Sequence, residues 1–308
     1  MSESVVSVKG LVKRYGSFTA VNGIDLEIGH SEVFGLLGAN GAGKTTTFEC
    51  IEGLRAVSDG SIRVAGCNPQ TERRKLRQKL GVQLQSSSLP DTIRIGEAIE
   101  LVCAWQHTRI PKEAIHDFDT EGLLKKQYRQ LSTGQKRRAH LILALCNHPE
   151  VLILDEPTAG LDVQNRAKLH EQIRSIRKQG ATILLATHDM AEAETLCDRI
   201  AILVHGKIVV CGTPESITAA NTTANEQNTR IRLRTEKGSL LPGSNIGNAT
   251  FIGEKDDYLE WMCQNAASEV INILGAVQAH GDRVEDLRVE KPSLEERFLE
   301  LVEGGQAR

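Results

Sequence analysis

At 308 residues, with 40% hydrophobic and 25% charged content, the chain has the balance of a soluble globular protein and room for one large domain plus a smaller one. A net charge of −3 and only 4% aromatics supply neither the basic face nor the stacking surface of a nucleic-acid binder. Seven scattered cysteines lack a C-x-x-C pair and read as reduced, and no segment approaches the roughly 18 apolar residues of a membrane span.

The N-terminal residues 1–13 read as a strand rather than a signal peptide. Apolar and polar residues alternate over 5–11 and again over 21–28, and residues 32–38 form a short apolar strand that runs into glycine. A helix is expected over 44–54, with strands over 60–65 and 81–85. Residues 86–147 are mostly helical, with three- and four-residue spacing clearest over 94–106 and 135–146. The continuous apolar run 151–154 predicts a strand buried on both faces. A helix over 165–179, a strand over 181–186 and a helix over 190–197 follow. Strands 200–204 and 207–211 pair as a hairpin around His205-Gly206. The polar stretch 218–228 reads as a linker. Beyond it, strands at 230–234, 249–252 and 284–289, with helices at 266–280 and 293–302, predict a small α/β domain over 229–308.

The chemistry begins at Gly38-Ala39-Asn40-Gly41-Ala42-Gly43-Lys44-Thr45-Thr46, between a strand and a helix. The glycines let backbone N–H groups converge on phosphates where side chains would obstruct them. Lys44 places a compact positive charge between the β- and γ-phosphates, and the Thr45 hydroxyl is suited to Mg²⁺. Further on, residues 151–154 deliver Asp155-Glu156 to the carboxyl end of a central strand, where α/β sheets bind ligands. An acidic pair after a strand is ordinarily a helix cap or a solvated turn. Beside a phosphate loop, Asp155 reads as the group holding Mg²⁺, through water, and Glu156 as the general base that orients or deprotonates the attacking water.

Between these lies Gln130-Leu131-Ser132-Thr133-Gly134-Gln135, a second anion-binding helix start with Ser132 as its cap. Alone it would be an ordinary capped helix. In this order and company the chain resembles the ATP-binding cassette (ABC) transporter ATPases, over residues 5–216. The resemblance implies an α/β P-loop fold: a RecA-like core, an antiparallel β subdomain, and a helical subdomain near 86–147, all within 1–217. It also implies ATP and Mg²⁺ as cofactors. Tyr15 matches the aromatic stacked on adenine, although a Tyr there is more often core. Gln85 matches the glutamine that reaches Mg²⁺ and the lytic water, with Gln83 competing for that role. Ala159-Gly160-Leu161-Asp162 resembles the loop that signals across the dimer, and His188 the histidine at the γ-phosphate. Thr133 stands where the family usually has glycine.

In the family, two such domains sandwich two nucleotides, so one chain holds half of each site. The resemblance therefore implies a homodimer, or a pair with a related ATPase subunit, and a separate transmembrane permease. Residues 187–212 and 291–298 resemble the drug and antibiotic exporter (daunorubicin-resistance-like) subfamily. That places the chain peripherally at the cytoplasmic face of the membrane. An importer subunit, or a soluble cassette ATPase acting on ribosomes or DNA, is the competing expectation. The latter usually carries two cassettes or a coiled-coil insertion, and neither is present here.

Overall fold

A computed structural model describes residues 4–84, 88–219, 229–238, 245–290 and 293–306, and the chain separates into two units, Met1–Pro214 and Glu215–Arg308. In the first unit the elements run β1 (Val6–Tyr15), β2 (Phe18–Ile28), β3 (Val33–Leu37), α1 (Lys44–Ile51), β4 (Asp59–Val64), α2 (Arg73–Leu76) and β5 (Leu80–Gln83). The mostly helical stretch holds α3 (Ile95–Gln106), α4 (Lys112–Asp117) and α5 (Thr133–Leu145). Then come β6 (Val151–Asp155), α6 (Val163–Lys178), β7 (Thr182–Thr187), α7 (Met190–Leu196), β8 (Arg199–Val204) and β9 (Lys207–Gly212).

These strands form two sheets. One is antiparallel, in the order β2-β1-β4. The other has six strands in the order β5-β6-β7-β3-β8-β9, parallel except for the edge strand β9. Strands β3, β6 and β7 are buried along their whole length, as a parallel sheet covered on both faces requires. Each fully buried Val, Leu or Ile there contributes about 1.5–3 kcal/mol of transfer free energy. Val6, Val8 and Leu11 of β1 share one core with Phe48 and Ile51 of α1, Leu36 of β3 and Ile153 of β6. That core fixes the start of α1, and hence the phosphate loop, against the ends of β3 and β6. The predicted hairpin forms at His205-Gly206, both with positive φ (48° and 76°), the geometry of a tight primed turn. It also braces the loop: Gly206 N–H donates to the Ala42 carbonyl at 3.0 Å and the Gly206 carbonyl accepts from Asn22 N–H at 2.8 Å.

The second unit opens with α8 (Pro214–Ala219) and then contains β10 (Thr229–Thr235), β11 (Thr250–Lys255), β12 (Tyr258–Cys263), α9 (Ala266–Ala279), β13 (Val284–Glu290) and α10 (Leu294–Gln306). Its antiparallel sheet has the order β11-β12-β10-β13, with Ile231, Leu233 and Trp261 packed beneath Ile273 and Val277 of α9. The sequence reading lacked three elements, the single turn α2, the short helix α8 and the strand β12. Strand β12 has no β-branched residue and no clean alternation. It is set by a hairpin at Asp256-Asp257, where both residues have positive φ (54° and 66°). Of the predicted linker, residues 220–228 lie outside the described residues and Thr218 belongs to α8. Lys291 and Pro292, ahead of the closing helix, also lie outside them. Among the described residues no helix is long and apolar enough to cross a membrane.

Candidate active site

Strand β3 is followed by Gly38, where the chain passes so close to β8 that an added Cβ would sit 2.5 Å from the Leu203 carbonyl oxygen. Gly43 closes the loop at φ 109°, a conformation L side chains avoid, and a Cβ there would lie 2.5 Å from the Ala20 carbonyl oxygen. These two glycines are steric requirements. Between them the chain curls around the Lys44 ammonium, which donates to the Gly38 carbonyl at 2.6 Å and the Ala39 carbonyl at 3.3 Å. Lys44 is buried, and burial pulls its pKa below the ordinary lysine value, partly offset by the nearby Glu156 and Asp155.

Strand β6 carries Asp155 and Glu156 to the same place, with Asp155 level with Ala186 of β7. Burial, and then the charge of Glu156, push the Asp155 carboxyl upward, while the Thr45 hydroxyl opposes the shift. That hydroxyl donates to Asp155 Oδ2 at 3.3 Å. Asp155 Oδ1 is buried with no hydrogen-bond partner. The hydroxyl oxygen of exposed Thr45 and a carboxylate with a buried, unused oxygen are the hard-oxygen donor set that suits Mg²⁺.

Glu156 adopts φ 50°, a left-handed conformation uncommon for a residue with a side chain and often kept at functional positions. Its N–H is held by the Ala186 carbonyl at 3.0 Å. One carboxylate oxygen lies 3.9 Å from Lys44 Nζ and the other 2.7 Å from Nδ1 of His188, which follows β7. The Glu156 side chain is 7% exposed and that of His188 59%, so the histidine carries a buried carboxylate's contact out to the surface.

Tyr15, Ala39, Asn40, Gly41, Gly43, Lys44, Thr45, Thr46 and Glu156 line one cavity of about 260 Å³. Gly38 and Ala42 support it from behind, Ala42 buried in the core and Gly38 binding Lys44. Phe18, absent from the sequence reading, joins Tyr15 at the cavity and is 62% exposed. The hairpin signal was available, because Gly16 at φ 59° turns the chain so that Phe18 faces Tyr15 across β1 and β2. Gln85 lies outside the described residues. Its competitor Gln83 ends β5, is buried, and has neither side-chain amide atom hydrogen-bonded.

Ser132, Thr133, Gly134 and Gln135 line no part of this cavity. Ser132 caps α5 as expected: its Oγ accepts from Gln135 N–H at 3.3 Å, and the Gln135 side chain accepts from Ser132 N–H at 3.1 Å, a reciprocal capping box. Thr133 opens the helix with its methyl 3.9 Å from where a Cβ on Gly160 would stand, an ordinary contact without strain. Thr133→Gly is therefore expected to leave ATP turnover equal to or above the parent's, at a stability cost of about 0.5–1 kcal/mol. Steady-state turnover and thermal melting read the two effects, and a large fall in turnover would assign the threonine a positive role.

The chain is similar to several known proteins. The ABC transporter family matches over residues 21–159. The daunorubicin resistance ATP-binding protein DrrA3 of Streptomyces coeruleorubidus is 31% identical over 98% of this chain and 97% of its own length. The Nod factor export ATP-binding protein I of Burkholderia orbicola (strain AU 1054) is 37% identical over 70% of this chain and 73% of its own. A solved ATP-binding subunit of an ABC transporter superposes with a TM-score of 0.64 at 28% identity, covering 70% of this chain and 92% of that one. The chain belongs to the ABC transporter family, as an ATP-binding and ATP-hydrolysing subunit.

Proposed function

We propose that this chain is the energising subunit of an exporter of drugs, antibiotics or other amphipathic compounds, acting as a homodimer at the cytoplasmic face of a membrane beneath a separate permease. The observation that carries the reading is a division within one chain. The cavity bearing Lys44 and Glu156 contains none of the signature residues Ser132–Gln135, which supports a site completed by a second subunit, a copy of this chain being the simpler source than a related ATPase subunit. Each chain then gives residues 38–46, Asp155, Glu156 and His188 to one nucleotide and residues 132–135 to the other. Residues 1–217 form this nucleotide-binding part, with 86–147 as its helical subdomain, and 229–308 form an accessory domain.

In the cavity the Lys44 ammonium leaves the loop carbonyls for the phosphates, and Tyr15 with Phe18 offers the base an aromatic wall. Thr45, Asp155 and Gln85 would hold Mg²⁺, which when bound neutralises charge between the β- and γ-phosphates. Glu156 accepts a hydrogen bond from the attacking water and takes its proton. His188 fixes the free carboxylate oxygen and faces the γ-phosphate. Export is supported by the resistance and export relatives, and by the resemblance of residues 187–212 and 291–298 to exporter subunits.

The permease contact belongs beside a groove of about 360 Å³ formed by Leu54, Leu76, Leu80 and Leu84 with the flank of α5. Leu101 and Trp105 of α3 continue its apolar rim, each 64% exposed, and Arg77 of the groove lies 5.7 Å from the Trp105 ring. Exposed apolar residues in such a cluster mark a protein contact. A short apolar helix from the permease fits there. Purification of the tagged chain from detergent-solubilised membranes is expected to recover a membrane subunit, and Trp105→Glu to lose it while the chain's own melting temperature holds. Recovery with ribosomes in place of a membrane protein would overturn the exporter reading.

A further inference from the structure

Within one subunit, the signature helix and the hydrolytic pair are joined by an unbroken run of contacts. Gly134 is buried against the side chain of Asn165, so closely that an added Cβ would lie 3.0 Å from Asn165 Cγ. Asn165 is bound twice to Asp162, its backbone N–H to Oδ1 and its Nδ2 to Oδ2, each at 2.8 Å. Asp162 is the N-cap of α6, so the contact with the signature is made by the rigid first turn of a 16-residue helix. The next residue, Arg166, returns its N–H to the Asp162 carbonyl at 2.9 Å and donates from Nη1 to Asp189 Oδ2 at 2.8 Å.

Asp189 is in turn the N-cap of α7. Its Oδ1 accepts from Glu192 N–H at 3.0 Å, and its own N–H donates to Thr187 Oγ1 at 3.0 Å. The residue between Thr187 and Asp189 is His188, which holds Glu156. One turn further along both helices, His170 Nε2 lies 3.5 Å from Glu192 Oε1 in a buried contact, with neither atom hydrogen-bonded. The Arg166–Asp189 pair is partly exposed, at 41% and 29% of the side chains, so it contributes little to folding stability. Its distinctive property is position, because it fixes the start of α7 relative to the start of α6.

We propose that Asn165 and Arg166 are positioning residues that couple the signature of each subunit to that subunit's own Glu156–His188 pair. The proposal rests on the reading that the signature acts on the partner's nucleotide. When the signature grips that nucleotide, α5 moves as a capped unit. Gly134 leaves no slack against Asn165, and the displacement passes through Asp162 and Arg166 to Asp189. There it alters how His188 holds Glu156 over the nucleotide of the other site. Such coupling is a free energy shared by two sites and is reciprocal between them.

The test is the ATP dependence of hydrolysis in the full-length chain, with Arg166→Ala, Asn165→Ala, Arg166→Lys and Asp189→Asn. Asparagine caps a helix as well as aspartate, so Asp189→Asn removes the charge pair and keeps α7. Two coupled sites give the parent a Hill coefficient approaching about 2. Arg166→Ala and Asn165→Ala are expected to bring it toward about 1 and to lower turnover about tenfold, and Arg166→Lys to recover most of the cooperativity. The double variant Arg166→Ala with Asp189→Asn should be no worse than the more impaired single variant, as two members of one path require. Unchanged cooperativity in Arg166→Ala, or strictly additive losses in the double variant, would overturn the relay and leave the composite-site reading standing. A non-cooperative parent that also fails to dimerise with ATP would remove that reading and the relay with it. If Arg166→Ala does not fold, Asp189→Asn breaks the same ion pair from its other end, and its cooperativity decides between the same two outcomes.

Discussion

Glu156→Gln is expected to lower ATP turnover about a thousandfold, close to 4 kcal/mol of barrier, while the variant still binds ATP and accumulates as an ATP-bound dimer. The reasons lie in the contacts of its carboxylate. Glutamine fills the same volume and keeps an acceptor, so the buried position at the end of β6 and its left-handed backbone are undisturbed. What disappears is the ability to take a proton from water. The negative charge 3.9 Å from Lys44 and 2.7 Å from His188 Nδ1 also disappears. Removing that charge lessens repulsion of the triphosphate, so affinity is retained or rises while turnover falls. Phosphate release measures the first effect, and size-exclusion chromatography with ATP the second. Hydrolysis at the parent rate would show that Glu156 is not the base. Lost hydrolysis without any ATP-dependent dimer would leave the base assignment intact and remove the composite site.

The phosphate loop, the acidic pair and the capped signature helix were legible because each is a local device. A glycine-rich turn between strand and helix, an apolar run ending in carboxylates, and a serine three residues before a glutamine carry their geometry in adjacent residues. Phe18 escaped because its place depends on how β1 and β2 pair, which residue spacing shows only once the turn at Gly16 is recognised. Strand β12 escaped because its burial comes from α9 and β10 and not from its own alternation. The run from Gly134 to Asp189 was invisible for the same reason. Asn165 and Arg166 look like ordinary polar residues of a helix start until the structure brings α5 and α7 to either side of them. Contacts at long sequence separation leave no periodic trace, and in this chain they join the motifs that the sequence marks separately.

Lys44→Ala fails at the opposite step. Its expected result is a nucleotide affinity about a hundredfold lower, roughly 3 kcal/mol, with turnover falling alongside it. The ammonium is buried and below its ordinary pKa because of that burial, yet the carboxylates of Glu156 and Asp155 beside it favour the charged form. A charge kept in a place that resists it is stored ready for an anion, and phosphate oxygens replace the Gly38 and Ala39 carbonyls as acceptors without new desolvation of the lysine. Without Lys44, two carboxylates face the triphosphate with no cation from the loop between them, and Asp155 is pushed further toward its protonated form. The loop itself should survive, since Gly38 and Gly43 are set by contacts to Leu203 and Ala20 that do not involve the lysine. Titration with a fluorescent ATP analogue reads the affinity, and thermal melting checks that the fold is kept. Binding within about twofold of the parent in a folded variant would mean that the backbone N–H groups alone hold the phosphates, and that Lys44 serves the buried carboxylates and not the nucleotide. The contrast with Glu156→Gln is what separates the two roles: one variant should hold ATP without cleaving it, and the other should scarcely hold it at all.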